Sequence, residues 1–224
     1  MKNNQTVGFR YYKNLLNKDE QHLYDIVAEN SFCFRHIFFV RKNFDININK
    51  IIRAVLMDNP KLFFIDGYYI TQIGSIIIFR PKFNDRRRNI LSKYNRIENL
   101  LNGLTVFFNT KDTYNIVFQV HGLLCRKIKY DCQDQDAHNI IGGLVKKRAV
   151  CDGISKSAKA IFDCCGIMSY IVNGVDKEKQ VSHSWLKVYV NKKWQNLDIT
   201  YDLSTKSNYW FLVGDEVLKQ DRSW

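Results

Sequence analysis

The chain has 224 residues, a formal net charge of +12 and a pI near 9.4, with 46% hydrophobic and 14% aromatic residues. That composition supports a packed core and excludes an intrinsically disordered chain. No apolar run is long enough for a membrane span, and residues 1–10 are polar without the apolar core of a secretory signal, so a cytoplasmic location is expected.

In chain order, residues 19–29 (DEQHLYDIVAE) read as an amphipathic helix with Leu23, Ile26 and Val27 on one side. Residues 48–57 read as a second helix, stopped near Asp58-Asn59-Pro60 by the proline. Residues 62–81 alternate aromatic and β-branched side chains around Gly67 and Gly74, which predicts strands joined by turns. The helical pattern returns over 86–102 and 110–128, and residues 131–136 are polar and loop-like. Ser155 to Cys165 places Ala158, Ile161, Phe162 and Cys165 at spacings of three and four, a helix with Gly166 as its stop. Residues 167–174 read as a strand. Residues 182–190 and 194–201 alternate and are joined by Asn191-Lys192-Lys193, a hairpin. The fold class is therefore α+β, with an N-terminal elaboration of helices and strands over 1–105 and a second domain over 106–224.

The six cysteines, at 33, 125, 132, 151, 164 and 165, contain no C-x-x-C pair, which argues against a zinc site. A chain of this length with no sign of export is not expected to rest on a disulfide framework. Five cysteines are read as buried thiols and Cys151 as reactive. It lies just ahead of the helix over 155–165. A helix beginning near 152 would put its thiol at the N-terminus, where exposed N–H groups and the positive end of the dipole favour thiolate. Gly153 would let the backbone approach a substrate closely. A cysteine taken alone is more often an inert core residue.

His183 and Asp198 change that weighing. Pairing Val190 with Lys193 across a two-residue turn sets His183 opposite Thr200 and Trp185 opposite Asp198. His183 and Asp198 are then diagonal neighbours on one face, roughly 7–8 Å apart at the α-carbons. Separately, they read as a hydrogen-bonded strand residue and a turn or ion-pair partner. Together, the carboxylate can fix the imidazole tautomer and stabilise the imidazolium. A thiol, a base and an orienting carboxylate are what nucleophilic attack on an amide requires. The backbone N–H of Cys151 is a natural first donor to the developing oxyanion. Gln119, Tyr130, Gln133 and His138 stand open as the second. Trp185 and Trp194 read as hairpin packing, with a substrate-channel wall as a further role for Trp185. His121 reads as packing on its helix.

Five segments form a composite pattern: His138-Asn139-Ile140-Ile141-Gly142-Gly143-Leu144-Val145, Val150-Cys151-Asp152-Gly153, Gly166-Ile167, His183-Ser184-Trp185, and Asp198-Ile199-Thr200-Tyr201-Asp202. Cys151 precedes His183 by 32 residues, and His183 precedes Asp198 by 15. On these motifs, residues 138–202 resemble the transglutaminase-like superfamily, whose bacterial members are similar to papain-type cysteine enzymes. The family pattern runs H-x-x-x-G-x-L-V, V-C-x-G, G-I, H-[AS]-W and D-x-T-[WY]-D. Val120-His121-Gly122-Leu123 and Lys129-Tyr130-Asp131 look like the helix and Y-D step that precede it. About half the chain is covered, and residues 1–100 carry weaker likeness. One departure is Leu186, where many members have Asn after the tryptophan.

The resemblance implies a papain-like core in which a catalytic helix packs on an antiparallel sheet. It implies Cys151 as nucleophile, His183 as general base and acid, and Asp198 as orienting carboxylate; Trp185, Gly153 and His138 are the substrate-binding candidates. The expected chemistry is acyl transfer on protein amide groups through a thioester. Water as acceptor gives a protease or deamidase, and a lysine amine gives transglutamination. The expected partner is a protein or peptide, with an amine acceptor in the second case. No cofactor and no metal are expected. Calcium regulates some animal relatives, but the chain has no acidic loop of the EF-hand type, so calcium independence is expected. Two other classes are open to the sequence: an inert protein-binding module on the same scaffold, which intact Cys151, His183 and Asp198 disfavour, and a basic nucleic-acid binder. Arg86-Arg87-Arg88 and Lys146-Lys147-Arg148 read as solvated faces, and no nucleic-acid partner is expected. The N-terminal region is expected to shape or cover the cleft.

Overall fold

A computed structural model describes residues 8–41, 46–108, 110 and 112–224. The described chain forms two compact units, residues 10–94 and residues 95–224 together with Gly8 and Phe9. Among the described residues, no helix is long and apolar enough to cross a membrane.

The 10–94 unit contains α1 (Tyr11–Asn14), α2 (Lys18–Phe32), β1 (Phe38–Arg41), α3 (Ile48–Asp58), β2 (Ile65–Ile73) and β3 (Ile76–Phe83). Helix α2 starts at a reciprocal cap: the Asn17 side chain accepts from the Glu20 N–H, and the Glu20 carboxylate accepts from the Asn17 N–H. The strands form an antiparallel sheet in the order β1-β3-β2. Gly74 turns the β2–β3 hairpin, as expected. Gly67 does not turn the chain. It lies inside β2 at a register shift between Ile65 and Tyr68, where its φ of +146° suits only glycine. Helix α4 (Arg87–Phe107) runs five residues past the segment its periodicity marks, continuing out of this unit into the next.

The 95–224 unit continues with α5 (Thr113–Lys127), β4 (Lys129–Tyr130), a π-helical turn at Ile141–Lys146, β5 (Arg148–Ala149) and α6 (Cys151–Cys164). Then come β6 (Ser169–Asp176), β7 (Val181–Val190), β8 (Lys193–Leu197), α7 (Ile199–Thr205), β9 (Phe211–Val213), α8 (Asp215–Leu218) and β10 (Arg222–Ser223). Five strands form an antiparallel sheet in the order β10-β6-β7-β8-β9. Helix α6 packs on β6 and β7 and buries Ile154, Ala158, Ile161 and Phe162. This is the α+β arrangement expected, a helix laid on an antiparallel sheet.

Helix α6 ends in a Schellman motif. The Ile167 N–H donates to the Phe162 carbonyl and the Gly166 N–H to the Asp163 carbonyl, with Gly166 at φ +70°. A Cβ at Gly166 would meet nothing within 4 Å, so only the left-handed backbone resists substitution. Gly166→Ala is expected to cost about 1 kcal/mol, read as a lowered urea midpoint at unchanged slope.

The β7–β8 register is the expected one. Val190 pairs with Lys193 and Leu186 with Leu197, and Asn191 and Lys192 take φ of +53° and +63° in a two-residue turn. The second strand is shorter than its alternation predicts. Pairing ends at Leu197, and Ile199 to Tyr201 open helix α7 instead. The Asp198 side chain accepts from the Tyr201 N–H at 3.2 Å, and this N-cap overrides the alternating pattern.

Candidate active site

Three elements of the 95–224 unit bring Cys151, His183 and Asp198 together. Cys151 is the first residue of α6, after Val150 in extended conformation. No side chain caps this helix start, so its first N–H groups and the dipole end lie at the thiol. The Val150 N–H donates to the Ala137 carbonyl at 3.1 Å, which fixes the approach to the helix. Ser155 Oγ donates to the Ser184 carbonyl at 3.1 Å, tying the first turn of α6 to the β7 residue beside His183.

His183 Nε2 lies 2.7 Å from Asp198 Oδ2, with the two residues 6% and 0% exposed. The Cys151 thiol is near enough to the imidazole to act on its proton affinity. Asp198 divides its oxygens: Oδ1 caps α7 and Oδ2 holds the imidazole. The predicted His183–Asp198 contact is therefore present, although it runs from strand to helix cap and not across a strand diagonal. Burial works against a charged imidazole. Asp198 and Cys151 outweigh it, and the His183 pKa rises from 6.5 to about 9. A raised folded-state pKa gives stability that is complete below about 6.5 and lost as pH rises through about 9. Urea midpoints measured across that window are expected to fall, and less steeply in His183→Asn.

The imidazole is boxed by rings. Trp185 stacks on it at 5.9 Å between centroids, and Tyr201 meets it edge-on at 5.1 Å. Trp185 is buried, with its Nε1 donating to Asn196 Oδ1 at 3.1 Å. It backs His183 from within the core and does not wall an open channel. Gly153 has a packing role too. It is buried, and a Cβ there would collide with the Ala137 carbonyl oxygen, so the missing side chain lets α6 sit close to that segment and does not admit a substrate. His138 is exposed, its Nδ1 3.9 Å from Asp152 Oδ2, which also takes the Lys156 ammonium at 2.7 Å.

Of the open candidates for a second oxyanion donor, Gln119 is tied to Asn115 on α5, and the Gln133 amide contacts Cys132 Sγ. Tyr130 is half exposed; burial and then the charge of Cys151 push its hydroxyl pKa up, which puts it in the same local field as the thiol. Trp194 packs against Tyr170 and Tyr189, as hairpin packing predicts. Among the described residues, no group of three or more His, Cys, Asp or Glu side chains is placed to hold a metal ion.

Two features near the site were not visible in the sequence. His121 on α5 does pack on its helix, but its Nε2 also lies 2.9 Å from Asp202 Oδ2 on α7, both fully buried. Cys125 Sγ stands 3.6 Å from the same nitrogen, completing a second Cys-His-Asp grouping. Burial pushes the Cys125 thiol up to about 12, so it stays protonated while Cys151 sits at a helix start. The second feature is Arg222, 1% exposed, whose Nη2 is 3.4 Å from Asp198 Oδ2. Asp202 is hinted at by its place four residues after Asp198 in D-x-T-[WY]-D; nothing in a two-residue strand marks Arg222.

Residues 105–199 match the protein-family model of the transglutaminase-like superfamily. The segment is a transglutaminase-like domain. Among solved structures, a TGase crystal structure is 16% identical, with 73% of this chain and 50% of that chain covered at a TM-score of 0.43. A candidate cysteine protease from Cytophaga hutchinsonii is 11% identical, covering 61% and 62% at 0.41. A candidate protease from Parabacteroides distasonis is 10% identical, covering 58% and 35% at 0.36. The chain thus spans half the length of the TGase it matches. No curated protein matches significantly. Within the transglutaminase-like domain the matched span holds all of Cys151, His183 and Asp198.

Proposed function

We propose that the chain catalyses acyl transfer on carboxamide groups of proteins or peptides through a thioester on Cys151. The observation that carries this reading is the 2.7 Å bond from His183 to a fully buried Asp198, on an imidazole whose pKa the nearby Cys151 at a helix N-terminus helps to raise. The Cys151 sulfur attacks the amide carbonyl and a C–S bond forms. The developing oxyanion takes a hydrogen bond from the Cys151 N–H. His183 gives its proton to the departing nitrogen, and the C–N bond breaks to leave the thioester. His183, now neutral, takes a proton from the second nucleophile as it attacks, and the thiolate leaves. Asp198 keeps the tautomer and stabilises the imidazolium without taking its proton. Water as the second nucleophile gives hydrolysis, and a primary amine gives transamidation.

The test is incorporation of a biotinylated primary amine into a glutamine-rich protein, followed by mass spectrometry, with Cys151→Ala as control. Amine incorporation lost in the variant supports transamidation. Deamidation or cleavage lost in the variant, without amine transfer, supports a hydrolase on the same residues. Neither signal on varied substrates, with an unreactive Cys151, would replace this reading by that of an inert protein-binding module.

A further inference from the structure

The catalytic reading stops at Asp198, but the buried charge does not. Arg222 on β10 reaches the same Asp198 oxygen that holds His183, its Nη2 3.4 Å from Oδ2. The guanidinium lies over the Tyr201 ring with its central carbon 3.9 Å from the centroid, and 5.2 Å from that of Trp210. Its Nη1 is 3.0 Å from Asp221 Oδ1 and 3.9 Å from Asp176 Oδ2. Asp176 in turn accepts from the Tyr201 hydroxyl, which also takes the Lys179 ammonium at 3.1 Å. The β10 backbone pairs with β6 at Arg222–Asp176 and Ser223–Val175, so the side chain is set by a strand and not by a loose end.

We propose that Arg222 is a positioning residue for the Cys151–His183 pair, acting through Asp198; this rests on the reading of those three residues given above. Two effects follow from its placement. The guanidinium clamps the carboxylate so that Oδ2 keeps facing the imidazole, in a ring-walled slot where Arg's planar fork is held by stacking. It also takes a share of the carboxylate's negative charge. An Asp198 facing His183 alone would hold the imidazolium more tightly and make it a poorer proton donor to the leaving nitrogen. Arg222 therefore lowers the proton affinity of His183 while keeping its geometry.

The test follows the ring C–H resonances of His183 by NMR against pH, in the Cys151→Ala background so that no thiol titrates with it. The groups facing the imidazole are then Asp198, Tyr201 and Trp185. Those facing Arg222 are Asp198, Asp176, Asp221, Tyr201 and Trp210, with Lys179 behind Tyr201. Arg222→Gln is expected to raise the His183 midpoint by about one unit, a tenfold gain in proton affinity. Arg222→Lys is expected to return most of the way. Arg222→Met fills the slot between the two rings and serves as a second neutral variant if Gln destabilises the unit. In the unaltered chain, the Arg222 guanidinium N–H resonances are expected to shift with the same midpoint as His183, a readout that needs no Arg222 variant. A midpoint unmoved by Arg222→Gln and Arg222→Met, or guanidinium resonances blind to the His183 titration, would overturn the proposal. Asp198→Asn separates the two readings. If it lowers the His183 midpoint while the Arg222 variants do nothing, the pairing of His183 stands and only the role of Arg222 falls. If Asp198→Asn also leaves the midpoint in place, the pairing itself falls.

Discussion

Iodoacetamide at pH 6 is expected to label Cys151 about tenfold faster than the exposed Cys33 and Cys132, and His183→Ala to remove most of that advantage. An ordinary protein thiol is roughly 0.3% ionised at that pH, because its pKa is near 8.5. An imidazolium beside a thiol favours the thiolate, the nucleophilic form. Part of the gain is returned, since a less basic thiolate is a weaker nucleophile. The helix start supplies a second stabiliser that His183→Ala leaves in place, so a residue of enhanced labelling is expected in that variant. Peptide mapping by mass spectrometry separates the three thiols within one sample. Equal labelling of all three at pH 6 would overturn this expectation.

His121→Ala is expected to destabilise the 95–224 unit by about 3–5 kcal/mol, far more than the loss of a surface histidine. The imidazole is the partner of a carboxylate with no access to water: Asp202 is buried, and its other oxygen is taken by the Trp210 N–H at 3.0 Å and Ser207 Oγ at 3.1 Å. Truncation would leave the second oxygen of a buried carboxylate without that partner, beside Phe211 and the Cys125 thiol. His121→Ala/Asp202→Leu is expected to recover part of the loss, because it removes the stranded charge along with its partner. Urea unfolding followed by tryptophan fluorescence measures all three. If His121→Ala costs no more than about 1 kcal/mol, water replaces the imidazole and the buried pair is not an anchor.

Much of the architecture near the site could be read from short-range rules. The β7–β8 register followed from a two-residue turn and alternation, and it holds from Val190–Lys193 to Leu186–Leu197. Gly166 followed from the end of helical periodicity. Failures occurred where a local bond competes with pattern. Ile199-Thr200-Tyr201 looks like strand until Asp198 is seen to cap a helix. Helix α6 looked amphipathic over 155–165; it starts at Cys151 and is buried on nearly every side, with even Lys159 enclosed beside Asp163. Gly153 reads as a place of close substrate approach, and Trp185 as hairpin packing with a channel wall as a further role. Their surroundings, the Ala137 carbonyl and the Asn196 amide, are set by long-range packing that no local rule reaches. Arg222 lies 24 residues from Asp198 along the chain and was invisible for the same reason.

Asp198 serves two masters with one side chain. Its Oδ1 starts a helix of only seven residues, and its Oδ2 holds the imidazole. Short helices fray at their first turn more readily than a packed sheet opens. On the proposed mechanism, each opening of that turn would also release His183, so the fraction of time the enzyme is armed equals the fraction of time residues 198–201 stay wound. Warming should then switch the chemistry off by degrees, well before the sheet beneath it melts.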